Sequence, residues 1–274
     1  MGDGSLAAEA GQPTMGENVS VEGCPSRGPA ISILGCRVDQ IDQIGAMETV
    51  ACFLQEVRRR LVVTADSSML VRAQHDTELH QILETADLVV PDSIGVVWAS
   101  RLLGTPLKER VTGVDLVERI CEYCAGAGLS VFLLGSASGV AERAAGRLVA
   151  RYPGLRVAGW RHGFFTDAED AEVAQTVAAA LPDVLFVALG IPRQEKWLAR
   201  HVPHIPIRIG MGVGGSLDVL AGEVKRAPAF FRAANLEWLY RVGSDPRRYR
   251  KGLMLPIFVW LALKEWFHRK RRSS

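Results

Sequence analysis

The sequence predicts an α/β protein: a doubly wound, mainly parallel sheet followed by a basic helical C-terminal appendage. Three observations carry this. Short apolar runs alternate along the chain with segments of helical periodicity, the strand, loop and helix order that builds right-handed parallel sheets. Four of these runs end in small or polar residues: Leu61-Val62-Val63 into Thr64-Ala65-Asp66, Leu88-Val89-Val90 into Pro91-Asp92-Ser93, Val184 to Leu189 into Gly190-Ile191-Pro192-Arg193-Gln194, and Ile207-Arg208-Ile209 into Gly210-Met211-Gly212-Val213-Gly214-Gly215. Ligands of open α/β sheets bind just beyond the carboxyl ends of the strands, so the four exits are expected to converge on one cleft. The third observation is charge. Residues 225–274 hold thirteen Lys and Arg against three acidic residues, a net of +10, so that in a chain of +2 the first 224 residues carry −8.

The elements follow in order. Residues 1–28 are rich in Gly, Ser, Pro and Glu without periodicity, and read as a disordered tail. This stretch lacks the basic start and continuous apolar core of a secretory signal, so export is not expected. Ile31 to Leu34 and Gly35 to Val38 suggest a first strand or hairpin, and Asp42 to Arg60 a helix, with Ile44, Met47, Val50, Ala51, Leu54 and Val57 at helical spacing. The strand 61–64 is followed by helices at 67–72 and 77–85, and the strand before Asp92 by a helix at 94–103. A helix over 113–125 is ended by Gly126 and Gly128. The strand 129–134 runs into Gly135-Ser136-Ala137-Ser138-Gly139, followed by a helix at 140–152 and a strand at 155–159. Thr166 and Glu169 form a capping box for a helix over 167–181. The division is thus a tail at 1–28, an α/β body at 29–224 and an appendage at 225–274.

With 274 residues, 48% of them hydrophobic, the chain can bury one large core in a single extended domain. Five cysteines, an odd number at irregular positions, do not predict a disulfide framework and point to a reducing compartment. Cys121 and Cys124 match C-x-x-C, but mid-helix and without a second pair for zinc, so they read as ordinary helix residues.

Glycine lets backbone N–H groups approach an anion, so Gly135, Gly190, Gly212, Gly214 and Gly215 are candidate phosphate contacts. Neither glycine cluster completes a dinucleotide fingerprint or precedes a Walker lysine, and each alone reads equally well as a structural turn. Asp218 is placed either to accept hydrogen bonds from ribose hydroxyls or to favour the start of a helix. Asp92 is the carboxylate of most interest. At a strand exit, partly desolvated, it has the position of a general base for a hydroxyl nucleophile. A helix N-cap accounts for it equally well.

Near the C-terminus, 253–263 is an eleven-residue apolar run followed by Trp266, Phe267 and the basic stretch 268–272. It is shorter than the roughly 20 residues of a membrane span, and Pro256 interrupts it, so it is expected to lie in a bilayer interface with its basic flank on anionic lipid. Nucleic acid would accept such a tail, but no nucleic-acid module accompanies it.

Taken in series, certain segments carry a resemblance. Thr64-Ala65-Asp66, Val90 to Ala99, Arg110-Val111-Thr112-Gly113-Val114-Asp115-Leu116, Gly190 to Trp197, Gly212 to Asp218, Lys225-Arg226-Ala227-Pro228, Leu236 to Arg241 and Asp245-Pro246-Arg247-Arg248 resemble the WecG/TagA/CpsF glycosyltransferase family over about Ile31 to Lys251. The resemblance implies a Rossmann-like enzyme that transfers a sugar with inversion, from a UDP-sugar donor to a sugar on a polyprenyl diphosphate, at the cytoplasmic membrane face. It makes Asp92 the general base, and Thr64 and Gln194 part of the sugar pocket. Asp218 matches a position near the nucleoside. Arg241, Arg248 and Lys251 would fold over the site and meet the diphosphate. Asp66, Arg110 and the five glycines complete the expected substrate-binding set. Asp66 stands where relatives usually carry Asn, a change expected to alter the donor accepted or, if the carboxylates are close, to raise the pKa of Asp92.

No D-x-D motif is present; Asp167-Ala168-Glu169 is the nearest and has a capping explanation. Arginines can offset the charge of a leaving diphosphate instead, so a metal-independent enzyme without a cofactor is expected, with the UDP-sugar as co-substrate. A homo-oligomer is compatible with the apolar helix faces. Two rival classes are a nicotinamide-dependent oxidoreductase, which should show G-x-G-x-x-G after the first strand and does not, and a non-catalytic nucleotide-binding membrane scaffold or sensor.

Overall fold

The computed structural model describes Cys24, residues 27–224 and residues 254–272. The chain enters through an antiparallel hairpin, β1 (Ala30–Ile33) and β2 (Cys36–Asp39), whose two turn residues, Leu34 at φ 52° and Gly35 at φ 72°, are both left-handed. A turn of that hand matches the twist of the flanking strands. Next come α1 (Gln43–Gln55), β3 (Arg60–Ala65), α2 (Ser67–Ala73), α3 (Thr77–Thr85), β4 (Leu88–Pro91), α4 (Ile94–Leu102) and α5 (Gly113–Ala127). The second half adds β5 (Ser130–Gly135), α6 (Val140–Arg151), β6 (Arg156–Arg161), α7 (Asp170–Ala179), β7 (Val184–Ala188), α8 (Arg193–His201), β8 (Ile209–Gly212), α9 (Ser216–Leu220) and α10 (Met254–Arg272).

Six strands pair in parallel in the order β4-β3-β8-β7-β5-β6, the doubly wound sheet that the sequence predicts, and the hairpin stands apart from it. The strands read as continuous apolar runs because both faces are covered. Val62, Val90, Leu133, Phe186 and Met211 pack on one side with α1, α5, α6 and α9. Their neighbours Val63 and Val89 pack on the other side with the hairpin, α2, α3, α4 and α10, and Phe132, Leu185 and Val187 with α7 and α8.

Side-chain caps set where the helices begin. Asp42, Asp66, Asp76, Ser93 and Thr112 each accept a backbone N–H three residues on, satisfying a donor that the first turn would otherwise leave open. The Thr166/Glu169 capping box is formed, but it opens a short 3-10 turn over Asp167–Glu169, so α7 starts at Asp170 rather than at 167. The first long helix also ends early, at Gln55, because Arg60 belongs to β3: its guanidinium is buried between Glu56 and Asp87.

Three expectations need correction. The last strand lies at Ile209–Gly212 rather than 207–209, so Gly210 and Gly212 are strand residues. The reason is α8 pressed against them: a Cβ on Gly210 would sit 2.5 Å from Val202 and 2.9 Å from Leu198. Cys24 and Cys52 form a disulfide. An odd cysteine count conceals one pair, whose partners meet only in space: the Cys24 N–H donates to Glu56 at the end of α1. Cys36, Cys121 and Cys124 are free and buried, and burial pushes the Cys36 and Cys124 thiols up to about 12 and raises Cys121 as well, so the C-x-x-C pair is packing. Of the tail expected over 1–28, Cys24, Arg27 and Gly28 are described, and Arg27 donates to the carbonyls of Glu84 and Thr85; the remainder lies outside the described residues.

The third correction concerns the C-terminal run. Pro256 does not interrupt it, because it falls in the first turn of α10, where an N–H would have no helical partner. This helix docks on α2 and α4 with Phe258 and Ala262 fully buried. At its far end Glu265 accepts the Leu34 N–H at 2.8 Å, and Arg269 donates to the Ser32 carbonyl at 2.7 Å while pairing with Glu265. No described helix is long and apolar enough to cross a membrane.

Truncating Phe258 to Ala should therefore lower the free energy of unfolding by about 3 kcal/mol or more. Urea denaturation measures this; an unchanged midpoint would mean that the docking of α10 contributes nothing to stability.

Candidate active site

All six strand ends open into one cleft of about 870 Å³. Asp92 and Ser93 enter it after β4, Thr64 and Asp66 at the end of β3, Val213 to Ser216 and Asp218 after β8, Ala188 to Ile191 after β7, Ser136 and Ala137 after β5, and Gly163 and Phe164 after β6. The first residues of α2, α4, α5, α8 and α9 line the same space, so several helix dipoles turn their positive ends toward it. That environment suits a phosphorylated ligand.

The structure decides the role of Asp92 near α4. The cap of that helix is Ser93, not Asp92. The Asp92 backbone N–H donates to the Ala65 carbonyl at 2.9 Å, which ties the β4 exit to β3. Its carboxylate oxygen Oδ1 accepts the Gly113 N–H, also at 2.9 Å, at the start of α5. The side chain is thus held half-buried in the cleft wall by a helix other than the one it precedes.

Thr64 also lines the cleft, with its hydroxyl donating to the Gly212 carbonyl at 2.9 Å and so joining β3 to β8. Asp66 caps α2, accepting from the Met69 N–H at 2.8 Å and the Ser68 hydroxyl at 2.7 Å. An Asn at this position would keep the acceptor oxygen, so capping alone does not demand the charge.

Gln194 is buried, and its amide is committed to protein groups. Its Oε1 accepts from the Gly190 N–H at 3.2 Å and the Gly214 N–H at 3.0 Å, and its Nε2 donates to Glu195 at 2.6 Å. One side chain therefore clamps the loops after β7 and β8 to each other. Both glycines are left-handed, Gly190 at φ 80° and Gly214 at φ 50°.

Of the remaining expected residues, Arg110, Gly190, Gly214, Gly215 and Asp218 line the cleft. Gly135 and Gly212, the last residues of β5 and β8, are not among the residues that line the cleft. A Cβ on Gly135 would fall 2.4 Å from the Ala188 carbonyl oxygen, and one on Gly212 would fall 2.9 Å from Gln194 Nε2. Those glycines let neighbouring groups pack. Arg241, Arg248 and Lys251 lie outside the described residues.

Other contributors carry weaker sequence signals. Ser93 accepts from the Ser67 and Val96 N–H groups and lies 2.9 Å from the Ser67 hydroxyl, which joins the starts of α2 and α4. The close approach is possible because residue 95 is glycine: a Cβ there would meet Ser67 Oγ at 2.3 Å. Arg193 donates to the Gly163 and Phe165 carbonyls with its guanidinium 4.4 Å above the Phe165 ring, and so fixes the loop that holds the exposed Phe164 at the cleft rim. Met254, Leu255 and Val259 bring α10 into the lining. Among the described residues, no cluster of three or more His, Cys, Asp and Glu side chains is placed to hold a metal ion.

Fold and cleft together define a doubly wound α/β protein with its ligand crevice at the carboxyl edge of the sheet. Comparison with known proteins is more specific. The family model described as "Glycosyl transferase WecG/TagA/CpsF family" matches residues 31–272, a stretch that takes in α10 as well as the body. An N-acetylglucosaminyldiphosphoundecaprenol N-acetyl-beta-D-mannosaminyltransferase of Bacillus spizizenii is 37% identical over 212 residues, covering 77% of this chain and 82% of the relative. The protein of the same name from Staphylococcus aureus strain MRSA252 is 34% identical over 236 residues, covering 85% and 92%. The chain belongs to the WecG/TagA/CpsF family and is a glycosyltransferase.

Replacing Gln194 with Ala should leave two part-buried backbone N–H groups without their acceptor, at about 1–3 kcal/mol each. The melting temperature should fall by several degrees; a variant that melts with the wild type would show that the two loops hold without the clamp.

Proposed function

We propose that this chain transfers a sugar, with inversion and without a metal ion, from a UDP-sugar to a sugar carried on a polyprenyl diphosphate. The observation that carries the reading is the Asp92 carboxylate, oriented by the Gly113 N–H in a cleft ringed by helix N-termini. The two relatives named above support the acceptor, since N-acetylglucosaminyldiphosphoundecaprenol stands in their names. They also favour an N-acetylmannosamine donor over glucose or a uronic acid. The product would enter a cell-surface polysaccharide or a teichoic acid.

In the proposed step, Asp92 takes the proton of the acceptor hydroxyl as its oxygen attacks the anomeric carbon from the face opposite the nucleotide. The bond from that carbon to the UDP oxygen breaks, and the electron pair leaves with the diphosphate. Negative charge builds on the leaving group. The positive ends of the helices at the cleft wall and the cations Arg241, Arg248 and Lys251 would offset it. Arg110 and Asp218, both in the lining, would meet the phosphate and ribose ends of the donor respectively. No cofactor takes part.

The same reading makes the protein peripheral on the cytoplasmic face of an anionic membrane. On α10 the side chains of Ile257, Trp260, Leu263 and Phe267 are exposed, and Lys264 and Lys270 lie over the rings of Trp260 and Trp266. Aromatic and cationic groups on one surface suit the boundary between headgroups and acyl chains.

A panel of UDP-sugars, with a short-chain polyprenyl diphosphate sugar as acceptor, tests the transfer. Acceptor-dependent UDP release is expected, falling roughly 10²- to 10⁴-fold in Asp92→Asn. Release undiminished in that variant would remove Asp92 from the mechanism, and strict dependence on Mg²⁺ or Mn²⁺ after chelation would overturn the metal-free step. Sedimentation with vesicles addresses the membrane: binding should strengthen with phosphatidylglycerol content and weaken with salt. Indifference to both would refute recruitment by charge.

A further inference from the structure

The two ends of the cleft differ in chemistry. From Thr64 across to Ser136 its walls are mainly carboxylates, hydroxyls, glycine loops and helix N-termini, with Val213, Ala188, Leu189 and Ile191 between them. At the β4 edge, beyond Asp92, the lining turns apolar: Ile94 and Trp98 of α4 face the same space as Met254, Leu255 and Val259 of α10. The two helices meet closely there, with Leu255 Cδ1 3.6 Å from where a Cβ on Gly95 would stand.

We infer that this α4–α10 wall seats the first isoprene units of the acceptor's polyprenyl chain. The inference rests on the transferase reading above and names the subsite that reading leaves open. Position is the first argument. The acceptor hydroxyl must reach Asp92, and its lipid is separated from that hydroxyl by one sugar and a diphosphate, so the lipid begins near the general base. Beside Asp92, α4 and α10 together supply five apolar side chains to the lining, Ile94, Trp98, Met254, Leu255 and Val259, against the single Val114 from α5. Burial is the second argument. Met254, Leu255 and Val259 are half-buried and Trp98 is exposed, so contact with a hydrocarbon would remove further apolar surface from water.

Continuity is the third. The helix that lines the cleft with its first turns carries Ile257, Trp260, Leu263 and Phe267 on its exposed surface. A chain leaving the cleft along α10 therefore stays on apolar side chains until it reaches lipid. At the opposite end, after β6, the rim holds the exposed ring of Phe164 within the loop that Arg193 grips at Gly163 and Phe165. The cleft would thus have a direction, with lipid entering at α4 and α10 and the donor lying across the ends of β8, β7 and β5.

The test uses the full-length protein in a non-ionic detergent and N-acetylglucosamine diphosphates bearing one, two or four isoprene units. The readout is the ratio of acceptor KM at one unit to that at four, which cancels any general loss of active enzyme. At least a tenfold ratio is expected for the wild type, since each added unit buries more hydrocarbon. The ratio should shrink below about threefold in Leu255→Asn/Val259→Asn and, as a variant on the exposed rim, in Trp98→Ala. Transfer at the same KM for every chain length, or a ratio that survives in both variants, would overturn the lipid seat while leaving the transferase intact. Failure of the wild type to transfer to any of these acceptors would overturn the activity itself and the seat with it.

Discussion

Parallel pairing is the constraint on which the rest depends. A strand that ends at one edge of a parallel sheet must return across a face before it can pair again, and the return begins with a helix. Six such strands therefore collect their carboxyl ends, and the positive ends of the helices that follow, along a single line. Asp92, Thr64 and Asp218 come from three different strand exits, yet they share one cleft for this reason. Chemistry has little need of long loops here, because the sheet brings the side chains together.

Close packing at that edge is arranged by glycine and by polar clamps acting together. Gly210 and Gly212 let α8 lie against β8, which in turn places Gln194 where its amide can hold the Gly190 and Gly214 loops. Gly95 does the same for the starts of α2 and α4, joined through Ser67 and Ser93. An anion-binding loop and a tight helix contact ask for the same residue, and only the fold distinguishes them. At Gly135 and Gly212 what the structure shows is the close packing.

The parts that the sequence made legible are those governed by local rules. Apolar runs covered on both faces, and helix caps such as Asp76 and Ser93, depend on neighbours within a few residues, and so the order of strands and helices could be read directly. The cleft was legible as a convergence of strand exits for the same reason. What escaped was tertiary. The Cys24–Cys52 bond joins residues that meet only after α1 packs, the exact span of β8 depends on α8, and the Arg193 grip on the 163–165 loop has no periodic signature. Pro256 misled because a proline inside an apolar run looks like a break unless the helix start is known.

The attachment of α10 also has a temporal side. The elements it mainly packs on, the hairpin together with α2 and α4, lie in the first 102 residues, and the helix, which begins at Met254, is made well after them. Until then the seat of Phe258 on α2 and α4 stays open to water. A nascent or C-terminally truncated chain would therefore present an apolar groove beside an unfinished cleft, a surface for chaperones to cover. Docking of α10 covers that groove and at the same time brings Met254, Leu255 and Val259 into the cleft wall, so the late-made helix closes both surfaces together.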